Sequence, residues 1–272
     1  MIGKGDIVFQ FIANTARPKL SQFDAQWLAN LAYAYAIIEC VPKFDDGSTL
    51  FHHIAEQSIP VVAKFNPQNL ANTVWAFEKV KVSHPELFKK VGDHITALDH
   101  LSGFIPQNLS NTVWAYAKAE ASRPDMFGKV GDHITSLGHL NDFIPQALAN
   151  TVWAFAKAEL SHPDLFQKVG DHIVSLDHLN EFIPQALSNI VYAFAKAGVS
   201  HPRLMEKLAD HIVSLENLDD FIQQEISNLV WGFAKLDVHN TKLYDKLTDV
   251  AVEDKSDDFS NRDIENLLRW TK

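Results

Sequence analysis

The sequence predicts an all-α fold, an α-solenoid of 39-residue helix-turn-helix repeats for which a right-handed superhelix is expected. Three observations predict it: a motif that recurs at a fixed interval, a proline at the head of nearly every copy, and a second helix-start signal between copies. The motif reads Phe65-Asn-Pro-Gln-Asn-Leu-Ala-Asn-Thr-Val-Trp-Ala-Phe in its first close copy and begins again at Phe104, Phe143, Phe182 and Phe221. Its asparagine falls at Asn72, Asn111, Asn150, Asn189 and Asn228, a spacing of 39 each time. Asn30, 42 residues before Asn72, and Asn266, 38 after Asn228, mark looser copies, so one array fills residues 1–272.

Taken in order, the first helices (A helices) are placed near 24–38, 66–80, 105–119, 144–158, 183–197, 222–236 and 261–271. Pro67 and Pro106 suit a first helical turn, where the missing N–H has no partner to lose. Each second helix (B helix) is announced by Ser83-His-Pro-Glu86 or its equivalents Ser122-Arg-Pro-Asp125 and Ser161-His-Pro-Asp164, read as capping boxes with a proline just inside. Leu87, Val91, Ile95, Leu98 and Leu101 then line one side of the first B helix. Gly92, Gly131 and Gly170 read as close helix packing. The chain stops at Lys272 within an A helix, so its C-terminal end is expected to be cut from a longer array or covered by another chain.

At about 100° per residue, helix A divides into faces. Leu70, Val74 and Phe77 turn towards helix B, and small flanks such as Ala71, Thr73 and Ala76 let adjacent A helices approach. A stripe remains opposite: Gln68, Asn72, Trp75 and Lys79. It recurs as Gln107, Asn111, Trp114, Lys118; as Gln146, Asn150, Trp153, Lys157; as Gln185, Asn189, Tyr192, Lys196; and as Gln224, Asn228, Trp231, Lys235. This stripe is expected on the concave surface. Ammonium groups neutralise phosphates, amides bond base edges and aromatic rings stack on bases, so single-stranded RNA is the candidate ligand. The competing reading makes the asparagines an internal ladder and the tryptophans core; the lysines, seldom buried unpaired, are the first candidates for ligand contact. Identical rungs cannot encode a varied sequence, so base discrimination is assigned to the positions that change: Asn69, Asn108, Ala147, Ala186 and Glu225.

Composition bounds the function. The net charge is −10, against an ordinary nucleic-acid binder, and 13 histidines would carry it from −10 to +3 if all were protonated. That balance keeps a second class open, a protein-interaction scaffold with an acidic solenoid surface. Cys40 is the single cysteine, which excludes internal disulfides and cysteine-built zinc sites. The Asp93-His94, Asp132-His133, Asp171-His172 and Asp210-His211 pairs point apart on a helix and are not read as a metal site. No glycine-rich phosphate loop, nucleophile elbow or paired-carboxylate set is present, so neither an enzyme nor a cofactor is expected. No run of about 18 apolar residues exists to span a membrane.

The motif Phe-x-Pro-Gln-x-Leu-(Ala/Ser)-Asn-x-Val-Trp-Ala-Phe-Ala-Lys resembles that of the octotricopeptide-repeat family. It is similar also to the helical region of FAST-kinase-like proteins and to RNA-editing substrate-binding complex proteins. The resemblance spans essentially the whole chain. It implies an α-solenoid that binds single-stranded RNA, with protein partners in a ribonucleoprotein complex. It further implies action in the processing, stability or translation of mitochondrial or plastid transcripts. No transit segment is visible, which leaves the cytoplasm open. The chain departs from that pattern in its period of 39, its acidity, Ile37 at the first stripe-lysine position and Arg262 at the last glutamine position.

Overall fold

The computed structural model describes residues 4–253, with side chains from Ile7 to Val250. Within them every regular element is helical, and the remaining backbone pairing is one isolated bridge, Lys43 to Thr49. The final A helix expected near 261–271, Asn266 and the C-terminal end lie outside the described residues.

The A helices are α2 (Ala25–Ile37), α4 (Pro67–Lys79), α6 (Pro106–Lys118), α8 (Pro145–Lys157), α10 (Pro184–Ala197) and α12 (Gln223–Lys235). Between and around them come α1 (Lys4–Ala16), α3 (Leu50–Ser58), α5 (Pro85–Ala97), α7 (Pro124–Ser136), α9 (Pro163–Ser175), α11 (Pro202–Ser214) and α13 (Thr241–Glu253). The chain divides into two compact units, residues 1–133 and 134–272. In the first, α4 packs between α2 and α6; in the second, α10 packs between α8 and α12, while α11 packs between α9 and α13. Each unit therefore stacks A helices on A helices, and the second does the same with its B helices, as a solenoid does.

The flanks of helix A make this stacking close. Ala71, Thr73 and Ala76 are fully buried on α4, as are Ala193 and Ile190 on α10. Gly232 of α12 marks the limit: a Cβ there would lie 2.6 Å from Val191 Cγ1 and 3.2 Å from its carbonyl. Aromatic pairs cross from α3 to α4, from α5 to α6 and from α9 to α10: Phe51 on Phe77, Phe88 on Tyr116 and Phe166 on Phe194, all 5.1 Å between centroids.

Both helix ends follow the backbone's needs. Phe104, Phe143, Phe182 and Phe221 are buried just before the cap, with Leu109, Leu148, Leu187 and Ile226 buried at the fourth helical position, the spacing of a hydrophobic staple. At the far end the chain turns through a left-handed residue, and the amide beyond it donates back to the last turn: Val82 to Phe77 O (3.0 Å), Leu160 to Phe155 O (3.1 Å), Val199 to Phe194 O (3.0 Å). Glycine suits that conformation, yet only Gly198 supplies one; Glu39, Lys81, Glu120, Glu159 and Asp237 hold φ between 51° and 58°.

Helix B departs from expectation at both ends. Its cap is His84, not Ser83, because the proline fixes the first helical residue at 85 and leaves position 84 as the cap. The imidazole Nδ1 accepts from the Leu87 amide (3.2 Å), and His162 and His201 do the same for Leu165 and Leu204 (both 3.3 Å). The helix ends at Ala97, so Leu98 and Leu101 lie in the following turn; Leu101 is buried from there. The glycines make room for the next cap. A Cβ on Gly170 would sit 2.3 Å from the His201 ring, and one on Gly92 would sit 2.9 Å from Arg123 Cδ. At the equivalent Ala209 the next cap is the shorter Asn240, whose Oδ1 accepts from Leu243 N at 3.1 Å.

A second lysine ladder joins the B helices. Lys129 Nζ donates to Thr96 O (2.8 Å), Lys168 to Thr135 O (2.7 Å), Lys207 to Val174 O (3.0 Å) and Lys246 to Val213 O (3.2 Å). Each also donates to the carbonyl two residues further on, Leu98, Leu137, Leu176 and Leu215. The last carbonyls of a helix have no partner within it and carry its negative pole. A cation from the next repeat satisfies both needs.

Candidate nucleic-acid interface

The stripe is the accessible face of each A helix. On α4, Leu70, Ala71, Thr73, Val74, Ala76, Phe77 and Glu78 are buried, whereas Gln68 and Lys79 are exposed and Asn72 and Trp75 half-buried. The same holds for Gln107, Asn111, Trp114 and Lys118; for Gln185, Asn189, Tyr192 and Lys196; and for Gln224, Asn228, Trp231 and Lys235. On α8, Lys157 is exposed, with Gln146, Asn150 and Trp153 half-buried.

Successive rings lean on one another. Tyr33 and Trp75 lie 5.2 Å apart in the first unit, Tyr192 and Trp231 5.3 Å apart in the second, both tilted by 38°. One side of each ring therefore packs on its neighbour while part of it meets solvent, so both the packing role and the ligand role have a surface. The amides pair along the helix: Gln146 Nε2 donates to Asn150 Oδ1 (2.8 Å) and Gln224 Nε2 to Asn228 Oδ1 (3.2 Å).

The lysines divide. Lys118 Nζ sits 5.9 Å from the centre of the Trp114 ring and Lys235 Nζ 5.6 Å from that of Trp231, within cation–π reach. Lys79 and Lys196 meet carboxylates, Glu39 at 2.5 Å and Glu159 at 2.8 Å. Those carboxylates belong to the left-handed residues ending the previous A helix. The hydrogen bond from its lysine holds each glutamate below the usual carboxylate range, and the Glu159 bond raises Lys196. Lys79 and Lys196 are thus already neutralised, which the sequence does not reveal.

The five variable positions are not on this surface. Asn69, Asn108, Ala147, Ala186 and Glu225 are between 0% and 8% exposed. They stand third in their helices, where a side chain turns back to the cap: Asn69 Oδ1 accepts from Asn66 N (3.3 Å) and Glu225 Oε2 from Ile222 N (3.0 Å). Their variation concerns capping and stacking, and a base has no access to them.

Two aspartates of the Asp-His pairs reach the cap of the following B helix. Asp93 accepts from Lys89 (2.7 Å) and from Arg123, and Asp171 lies 3.3 Å from His201 Nε2. Among the described residues no three His, Cys, Asp or Glu side chains gather as metal ligands, and no helix is long and apolar enough to cross a membrane.

The family model of the RNA-editing substrate-binding complex 6 protein matches residues 1–143 and, in a second overlapping register, residues 106–269. The chain belongs to this family. Two overlapping matches are what a repeating sequence gives, since successive repeats can align with the same stretch of the family pattern. No curated protein gives a match. Of the resemblances that the motif carries, the match is to the RNA-editing substrate-binding complex proteins, which places the chain among components of RNA-processing machinery.

Proposed function

We propose that this chain is an RNA-holding subunit of an RNA-editing substrate-binding complex, which grips single-stranded RNA along the accessible stripe of its A helices. The observation that carries the reading is the stripe itself: every described close copy leaves the same amide, aromatic and ammonium set exposed or half-buried while most of the remaining helix is buried. The chemistry suits an unpaired strand, with rings for bases and lysines for phosphates. Identical rungs fit a grip on the backbone rather than a reading of sequence. The role is to hold substrate and to assemble with protein partners in a ribonucleoprotein complex, and an organelle, mitochondrion or plastid, is the compartment that goes with it.

The test is binding of pooled single-stranded RNA at several salt concentrations by the wild type and by K118A/K157A/K235A. Each phosphate left without its lysine flattens the salt slope by about 0.7 for a single strand, so the triple variant is expected to lose about 2 in slope. Unchanged affinity and slope would remove the A-helix stripe as the RNA surface.

A further inference from the structure

At the other end of the A helices from the lysines stands a ladder of exposed isoleucines. Ile144, Ile183 and Ile222 of the second unit are 60%, 53% and 64% exposed, and Ile105 of the first is 58% exposed. Each is the residue that caps an A helix, a position where Asn, Asp, Ser or Thr would bond a free amide and isoleucine cannot. The first close copy shows the alternative: Asn66 caps α4, accepting from Asn69 N at 2.8 Å. None of the isoleucine caps makes such a bond. The extended backbone that precedes a proline favours a β-branched residue, but this does not explain the choice, because Ile222 precedes Gln223 and is isoleucine still.

The surroundings are acidic. The loops that deliver these isoleucines, 137–144, 176–183 and 215–222, hold Asp142, Asp177, Glu181, Glu216, Asp219 and Asp220, all exposed, and no lysine or arginine. The cations that approach from helix B, Lys168, Lys207 and Lys246, are spent on the carbonyls of Leu137, Leu176 and Leu215. A cleft opens between the second and third rungs, lined by Ile183, Leu187, Leu215, Glu216 and Asp220.

We propose that this isoleucine–carboxylate edge is a protein-docking surface, which takes a basic amphipathic helix from a partner chain. Its apolar side would cover the isoleucines and its lysines or arginines would meet the flanking acids. RNA is disfavoured there, since the acids repel phosphates and an aliphatic side chain offers no face to stack on. A second copy of this chain is disfavoured by its own net charge of −10.

The probe is a fluorescently labelled amphipathic peptide of leucine and lysine at helical spacing, titrated onto the whole chain. I144N/I183N/I222N is expected to weaken peptide binding by about tenfold or more, a change of one decade in Kd being readily resolved. Its thermal midpoint is expected to hold or rise, because asparagine restores the cap bond. Its RNA affinity is expected to stay within about twofold, which separates this inference from the stripe. D142N/E181Q/D220N is expected to weaken peptide binding at low salt and to lose most of its effect at high salt. Peptide binding indifferent to both variants would overturn the proposal, as would a fall in thermal midpoint for the isoleucine variant, which would put those side chains to work inside the fold. A wild-type dimer that the isoleucine variant turns to monomer would assign the edge to self-association instead.

Discussion

Replacing Lys207 with methionine tests how the repeats are joined. The Lys207 ammonium donates to Val174 O at 3.0 Å and to Leu176 O, both at the end of α9, and the contact is part-buried. Methionine keeps most of the aliphatic stem, so the loss falls on the charge and its two bonds. A hydrogen bond to a charged group contributes about 1.5–3 kcal/mol, and a cation at a helix C-terminus about 0.3–1 kcal/mol. The two bonds share one ammonium, and water can reach the freed carbonyls, so the cost should stay near the lower end, about 2 kcal/mol. For a chain of this size each kcal/mol moves the thermal midpoint by about 2–4 °C, which gives a fall of about 4–8 °C. The assay is thermal unfolding of K207M beside K157M, a matched change on the exposed face of helix A. Amide exchange at the end of α9 should quicken in K207M alone, and RNA affinity should drop in K157M alone. If the two variants melted within a degree of each other, the B-helix ladder would not be a structural tie.

Two further outcomes follow from the same geometry. Glu159→Gly is expected to tighten RNA binding and steepen its salt slope by about 0.7, because Lys196 loses the carboxylate it holds at 2.8 Å; it should also raise the thermal midpoint, since glycine adopts the left-handed φ of 56° without strain. A slope unchanged from wild type would show that Lys196 never meets a phosphate. Acidification is expected to destabilise the fold. Burial pushes His84, His133, His172 and His211 below the usual imidazole range. The unfolded chain thus binds protons that the folded chain refuses, and stability is full above about pH 6.5 and lost as the pH falls through the unfolded value towards the lower folded ones. Thermal midpoints at pH 7.5 and 5.5 check this, and a rise on acidification would mean that relief of the net charge of −10 outweighs burial. His84→Asn should flatten the dependence, because asparagine caps equally well without titrating, as Asn240 does.

Much of this architecture is legible in the sequence. The ends of the six described A helices fall within one residue of the ranges read from the repeat, because proline sets the start of four of them and the recurring motif carries those boundaries to α2 and α12. The faces of helix A are legible for the same reason: residues 3.6 apart share a side, whatever surrounds them. What escapes are contacts whose partner belongs to another repeat. Lys157 and Lys168 look alike in sequence, yet one faces solvent and the other caps a helix 31 residues back. The offset between repeats decides that, and periodicity along one helix does not contain it. The recurrence of Lys129, Lys168, Lys207 and Lys246 is a signal, but it gives no direction. Asn69 and Glu225 mislead similarly: variation suggests a ligand, whereas the third position of a helix turns its side chain back on the cap.

The most informative positions are those where the sequence declines an easier local solution that it uses elsewhere. Gly198 shows the unstrained way to end an A helix, yet Glu39 and Glu159 take the left-handed conformation with a side chain and place a carboxylate on a stripe lysine. Asn66 shows the bonded way to start one, yet Ile144, Ile183 and Ile222 leave the cap bond unmade and hold an apolar side chain in water. Neither choice stabilises the helix that carries it, and a rule broken without local compensation is expected where a residue faces a partner. On α8 the two choices sit at opposite ends of one 13-residue helix, Ile144 before its first turn and Glu159 beyond its last, about 20 Å apart at 1.5 Å per residue. That separation puts the ammonium end of each stripe a helix length from the acidic, apolar edge, so that phosphates and a protein partner would be held side by side rather than in competition.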